Sequence, residues 1–173
     1  MDTKIKVRRA VPADAEAIRH VARVTWNTAY AGIISGENQE QLLARWYAAD
    51  ALRDSISRQD SWLYVALVDE ELVGFAQYVK REERTGQLTR IYVLPEWQRK
   101  SIGRLLLEEG LAALSDQGAR EVLVQVEKEN RVGKSFYEKR GFRFSRELSI
   151  ELPRQRLELE ELVLQIHDQQ SAS

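Results

Sequence analysis

The chain has 173 residues, 43% of them apolar and 31% charged, with a formal net charge of −1. That is long enough for one domain with a real core, and too evenly charged to be drawn as a whole to nucleic acid or to an anionic membrane surface. It contains no cysteine, which excludes disulfides, thiolate metal sites and a cysteine nucleophile.

Lys4 to Arg9 alternates polar and apolar residues and reads as a first strand. The segment before it carries charge and no apolar stretch, so a secretory leader is not expected. No apolar run approaches bilayer length. A cytoplasmic setting is the expectation, and the lack of cysteine fits it. Pro12 opens a helix whose first turn holds Asp14 and Glu16, at the end where the dipole favours acids. Ile18, Val21, Ala22, Thr25 and Trp26 form its apolar face, and Gly32 and Gly36 interrupt the chain after it. Leu42, Leu43 and Trp46 mark a second helix, and Leu52 to Ile56 extends it or forms a third.

Trp62 to Val68 reads as a strand, Asp69-Glu70-Glu71 as a turn, and Leu72 to Val79 as the returning partner. Lys80 to Gly86 is expected to be a charged link, and Leu88 to Val93 the next strand, central in the sheet. Leu105, Leu106, Leu107, Leu111 and Leu114 give a helix that ends near Gly118. Glu121 to Val126 is a strand, Arg131 to Arg140 a short helix stopped by Gly141, and Phe142 to Leu152 with Leu157 to Ile166 a hairpin around Pro153. The expectation is one domain over residues 1–167 and a loose polar tail, 168–173. The fold class is α/β in the α+β sense: a mixed, mostly antiparallel central sheet flanked by helices on both faces. The pattern alone leaves several such folds open.

Between the strand ending at Val93 and the next helix lies Leu94-Pro95-Glu96-Trp97-Gln98-Arg99-Lys100-Ser101-Ile102-Gly103-Arg104. A strand–loop–helix junction aims unpaired N–H groups at one point, at the positive end of the helix dipole. That suits an anion, phosphate above all. Gln98-Arg99-Lys100-Ser101-Ile102-Gly103 resembles the Gln/Arg-x-x-Gly-x-Gly/Ala loop of the GNAT superfamily, the acetyl-CoA-dependent N-acetyltransferases. Asn130 to Phe142 is similar to that family's Asn…Phe-Tyr-Glu-Lys-x-Gly-Phe segment. The two motifs occur in the family's order, and the resemblance spans roughly Val7 to Ile166.

The resemblance implies the GNAT fold and a set of roles. Gln98, Arg99, Lys100, Ser101, Ile102, Gly103 and Arg104 would hold the diphosphate of acetyl-CoA. Ser101 stands where the family has glycine; its Cβ crowds an anion, while its hydroxyl makes it a good helix N-cap. The backbone of Ile91, Tyr92 and Val93, splayed from the neighbouring strand by a bulge, would pair with the pantetheine arm. An N–H near Val93 would face the thioester oxygen. Asn130 would bond the pantetheine or diphosphate region, unless it is simply a helix N-cap. Tyr137 would be the general acid for the leaving thiolate: a free thiol titrates near ~8.5 and a phenol near ~10, so a neutral tyrosine can donate. The competing role for Tyr137 is core packing.

The acceptor amine needs a base, and the family often places a glutamate on the central strand. Gln87 sits about there and cannot serve; Glu82 and Glu83 are nearby in sequence, and ordered water would also do. Trp26 and Tyr30 share a helix face, and with Ala31-Gly32-Ile33-Ile34 they resemble the acceptor wall of polyamine- and small-amine-acetylating members; core packing is the alternative. His20 and His167 are the only histidines and make no metal site, so none is expected. The expected partner is a small-molecule amine, favoured over peptide or protein amines, with no nucleic acid and no membrane. A homodimer through the C-terminal hairpin is left open. The alternative function is a catalytically inactive acyl-CoA-binding sensor of the same fold, suggested by Ser101 and Gln87.

Overall fold

The computed structural model describes residues 3–166; the expected loose tail lies outside the described residues. Seven strands form one sheet: β1 (Ile5–Arg9), β2 (Ser61–Val68), β3 (Glu71–Glu82), β4 (Thr85–Val93), β5 (Glu121–Glu127), β6 (Arg143–Leu152) and β7 (Gln155–Gln165). Their spatial order is β1-β2-β3-β4-β5-β7-β6, so β4 is the middle strand, as expected. Every neighbouring pair is antiparallel except β4 and β5, which are parallel. A parallel pair needs a crossover, and α4 (Ile102–Asp116) supplies it.

Before β2 come α1 (Ala15–Ala29), α2 (Gly36–Trp46) and α3 (Ala49–Ser57); α5 (Arg131–Glu138) follows β5. α4 covers one face, where Gly110 meets the Tyr78 ring and Gly86 meets Leu114. The opposite face receives the aromatic end of α1 and Tyr47, which packs edge-on against Phe75. β2 is buried along its whole length because both its faces are covered.

One segment differs from its sequence-based expectation. Lys80 to Gly86 is not a link: β3 continues to Glu82, β4 begins at Thr85, and a tight turn at Glu83 and Arg84 joins them. The hairpin's far end is largely solvated, so its strands tolerate charges that read as loop. The turn at Asp69-Glu70 is as expected, with both residues at positive φ, a geometry whose twist suits a two-residue hairpin.

The feature that shapes the site lies midway along β4. Tyr78 pairs with Leu88, but Gln77 pairs with Arg90, so Thr89 is an extra residue; its hydroxyl donates to Gln77 O at 3.0 Å. The β4–β5 ladder runs from Thr85–Glu121 to Leu88–Val124 and ends there. The bulge bends β4, and beyond it the two strands part.

Candidate active site

The opening is bounded on one side by Arg90–Val93 and on the other by Gln125–Glu127. Leu94 N donates to Val73 O at 2.9 Å. By the alternation of an antiparallel ladder, Tyr92 also turns its main chain to β3, while the N–H groups of Ile91 and Val93 face the opening. Tyr92 offers no such group: its backbone is committed to β3, and its hydroxyl lies 3.1 Å from that of Tyr30.

At the mouth of the opening, the Gln98 side chain donates to Val93 O at 3.0 Å and ties the loop to the strand end. Arg99 and Ser101 both adopt left-handed backbone, φ 62° and 69°. Ser101 occupies the N-cap position of α4, yet its hydroxyl makes no capping bond. It is thus a serine in a conformation suited to glycine, rather than the side-chain cap its type suggests. The first helical acceptor is Ser101 O, bonded by Leu105 N at 3.0 Å, and Gln98 N bonds Pro95 O. The amides from Arg99 to Arg104 have no main-chain acceptor among the described residues, which leaves a row of donors at the helix start. The Lys100 ammonium lies 4.9 Å over the Trp97 ring, and Arg104 pairs with Glu108 along α4. Ile102 is buried, and the missing Cβ of Gly103 makes room for the Phe136 ring, which a side chain there would meet at 3.1 Å.

α5 opens at Asn130, whose Oδ1 accepts the Gly133 N–H at 3.0 Å, the helix-cap role. The helix carries Tyr137, which is 8% exposed. Its ring packs edge-on against Phe136 and Phe142, and burial pushes its phenol well up. Tyr137 is close enough to Tyr78 on one side of the sheet, and to Tyr30 and Tyr92 on the other, for their charges to interact.

On the α1 side, the Tyr30 and Tyr92 hydroxyls are 3.1 Å apart. Burial raises both phenols, so both are neutral at pH 7. Trp26 is only 3% exposed and packs edge-on between Tyr30, Trp46 and Tyr47, a core position behind the Tyr30 wall. Gln87 is not brought to this group. It pairs with Leu123 in the closed half of the ladder, its side chain accepts from Arg81, and Tyr92 lies about 16 Å farther along the strand. Glu82 and Glu83, at the β3–β4 hairpin end, are as remote from the opening.

Beside the Tyr30 wall lies a cleft of about 830 Å³, bordered by Gly32 and Ile33 after α1, the end of β5, the start of α5, and Arg156 to Glu158 of β7. Glu127 lies on it, 8% exposed, with a carboxyl that burial pushes above the usual carboxylate range. The sequence pattern ends β5 at Val126 and does not single this residue out. Alternation along β5 is the available signal, since Leu123, Gln125 and Glu127 share a face.

The pattern described as the Acetyltransferase (GNAT) family matches residues 23–142. A spermidine N(1)-acetyltransferase of Thermoplasma acidophilum is 35% identical over 143 residues, covering 80% of this chain and 88% of that protein. Among solved structures, the PaiA N-acetyltransferase of the same organism, in complex with coenzyme A, superposes with a TM-score of 0.82 at 29% identity, covering 94% of this chain and 99% of that one. A GCN5-related N-acetyltransferase from Rhodopseudomonas palustris has a TM-score of 0.78 at 17% identity, covering 96% and 99%, a likeness of fold alone.

Proposed function

The chain belongs to the GNAT acetyltransferase family, and from that premise we propose that it transfers the acetyl group of acetyl-CoA to a primary amine of a small polyamine-like molecule, by direct attack in a ternary complex. The observation that carries this reading is the parting of β4 and β5 after Leu88–Val124, with the main-chain N–H groups of Ile91 and Val93 turned into the gap.

The residues present fit acetyl-CoA. The amides of Arg99 to Arg104 offer convergent donors for its diphosphate, and the N–H groups of Ile91 and Val93 offer a strand edge for its amide-bearing arm. The Ser101 backbone keeps this loop shape despite the side chain. The thioester supplies an activated acetyl group. The Val93 N–H is a fixed donor for the charge that grows on a carbonyl oxygen beside it. Tyr137 holds a proton for the departing sulfur. Its raised phenol is a weak acid, so donation is best matched to the moment at which the attacking nitrogen sheds its own acidic proton. Asn130 holds the turn into α5, and through it the placing of Tyr137. Direct attack needs no acetyl-enzyme intermediate, and the chain has no cysteine to carry one.

The acceptor class is supported by the cleft beside Tyr30, with the carboxylates of Glu127, Glu129 and Glu158 on it. Lys128, Arg131, Lys134 and Arg156 also line it; Lys128 pairs with Glu147 at 3.7 Å, Lys134 with Glu160 at 2.7 Å and Arg156 with Glu158 at 3.2 Å, so the support comes from the buried Glu127 rather than from an excess of negative charge. The Thermoplasma relative named for spermidine points the same way. The inactive-sensor alternative rests on Ser101 and Gln87. Ser101 keeps the glycine conformation and Gln87 lies outside the opening, so neither favours it.

The test is acetyl-CoA with a panel of polyamines, monoamines, amino acids and a lysine peptide, reading free thiol and the mass of the acetylated product. Turnover highest with polyamines is expected. Binding of acetyl-CoA without acetylation of any amine would refute the proposal.

A further inference from the structure

Glu127 lies at the end of β5, across the opening from β4. The last ladder pair is Leu88–Val124, so continuing along both strands brings Glu127 level with Ile91 and Tyr92. Leu123, Gln125 and Glu127 alternate onto the face that carries Gln125's contact with Glu161 and faces the loop after α1. The carboxylate is 8% exposed, and it borders the 830 Å³ cleft together with Gly32 and Ile33. It is near enough to Tyr30 for its charge to be felt there. One oxygen, Oε2, accepts the Glu129 N–H at 2.8 Å, which fixes the carboxylate in place. No cation lies within ion-pair distance of it among the described residues: Lys134, the cation felt at Glu127, is bonded to Glu160.

A buried carboxylate, held by main-chain N–H groups and with no cation at ion-pair distance on a substrate-sized cleft, favours a positive group that comes to it. We propose that Glu127 is the residue that receives the acceptor's ammonium group and removes its first proton, resting on the amine-acetylation reading above. The carboxylate takes one proton from R–NH3+, leaving R–NH2 with a free lone pair. That lone pair forms the C–N bond to the acetyl carbon as the C–S bond breaks. The second nitrogen proton goes, by way of the Tyr137 phenol, to sulfur. Glu127 then releases its proton to water, so the whole step yields the amide, a thiol and one proton.

Burial lifts the Glu127 carboxyl, which makes it a better base at neutral pH than a surface glutamate. The charged and titratable groups around it are Lys128 and Glu129 on its own loop, Lys134 and Arg131 from α5, Tyr30 after α1, and Arg156 and Glu158 from β7; Lys128 pairs with Glu147 at 3.7 Å. The Glu129 N–H opposes the lift, the Glu129 charge adds to it, and the Asn130 N–H and Lys134 oppose it.

The competing role is structural, a side chain that merely braces the 127–130 turn. Glu127→Gln keeps an oxygen for the Glu129 N–H and removes only the charge and the basicity. Wild type and Glu127→Gln are assayed with the best amine of the panel from about pH 6 to about pH 10, alongside acetyl-CoA affinity by calorimetry and thermal melting. The expected result is a loss of about a hundredfold in kcat/KM for the amine at pH 7. That loss narrows steadily as pH approaches the amine's own pKa, near ~10, where neutral amine is present without help. Acetyl-CoA affinity and the melting temperature stay unchanged. A variant within about threefold of wild type with the same pH profile overturns the assignment, as does an equal loss at every pH. Wild type that acetylates no amine overturns the functional reading and this inference together, whereas an active wild type with an unaffected variant overturns the inference alone.

Discussion

Ser101 holds φ at 69° without the freedom that glycine has there. For an L-residue this backbone costs about 1–2 kcal/mol, and the hydroxyl recovers none of it through a cap. Ser101→Gly should therefore raise stability by about 1 kcal/mol and leave acetyl-CoA affinity equal or tighter, read from the urea midpoint and by calorimetry. Tyr137 is a second residue whose role can be isolated. Tyr137→Phe keeps the ring against Phe136 and Phe142 and removes only the hydroxyl, so kcat should fall by about a hundredfold or more with acetyl-CoA affinity unchanged. Full turnover in that variant would leave packing as its whole role. Both positions are legible in the sequence because motif and chemistry coincide there. The hydroxyl pairing of Tyr92 and the cleft position of Glu127 are not. Tyr92 finds its partner in Tyr30, at the end of a helix near the start of the chain, and Glu127 pairs with Leu159 on a strand near its end. Neither neighbour can be inferred until the sheet brings the segments together.

At the scale of elements, α4 lies so close to the sheet that only glycine fits at the contact. A Cβ on Gly110 would fall 1.9 Å from the Tyr78 ring, and the Tyr78 hydroxyl donates to Leu106 O at 2.9 Å one turn earlier. Gly110→Ala must lift the helix or turn the ring, and should cost about 3 kcal/mol, seen as a lower urea midpoint. A loss under about 1 kcal/mol would mean that helix and sheet have the slack to absorb a methyl group between them. The elements themselves are largely legible, because apolar periodicity marks α1, α4 and the buried strands. The β3–β4 hairpin end is not: Lys80, Arg81 and Glu82 read as linker because charge stands in for loop when nothing covers a strand. The extra residue at Thr89 follows from family likeness and not from its own chemistry, since a threonine within a strand carries no sign of a bulge.

For the molecule as a whole, the cleft proposed for the acceptor is assembled from chain segments more than a hundred residues apart. The Asn38 side chain, 3% exposed, donates to Pro153 O at 3.0 Å and to Gln155 Oε1 at 3.1 Å. Gln155 in turn donates to Ile33 O. These bonds fasten the loop between α1 and α2 to the β6–β7 turn, and that loop borders the cleft. Asn38→Ala should lower stability by about 1–2 kcal/mol and raise KM for the amine several-fold, with KM for acetyl-CoA unchanged. Equal rises in both would show that the fastening serves the fold in general rather than the acceptor side. No sequence pattern announces such a clasp, because each of its members is an ordinary polar residue until its distant mate is known.

The inserted Thr89 also fixes what a shorter chain would be. Removing that single residue would let β4 follow β5 to its tip, so that the hydrogen bonds now withheld could form within the sheet. Such a deletion variant would have a more complete sheet and no slot. If the gap does take a guest strand as proposed, that capacity and the completeness of the protein's own framework are alternatives, and one threonine decides between them.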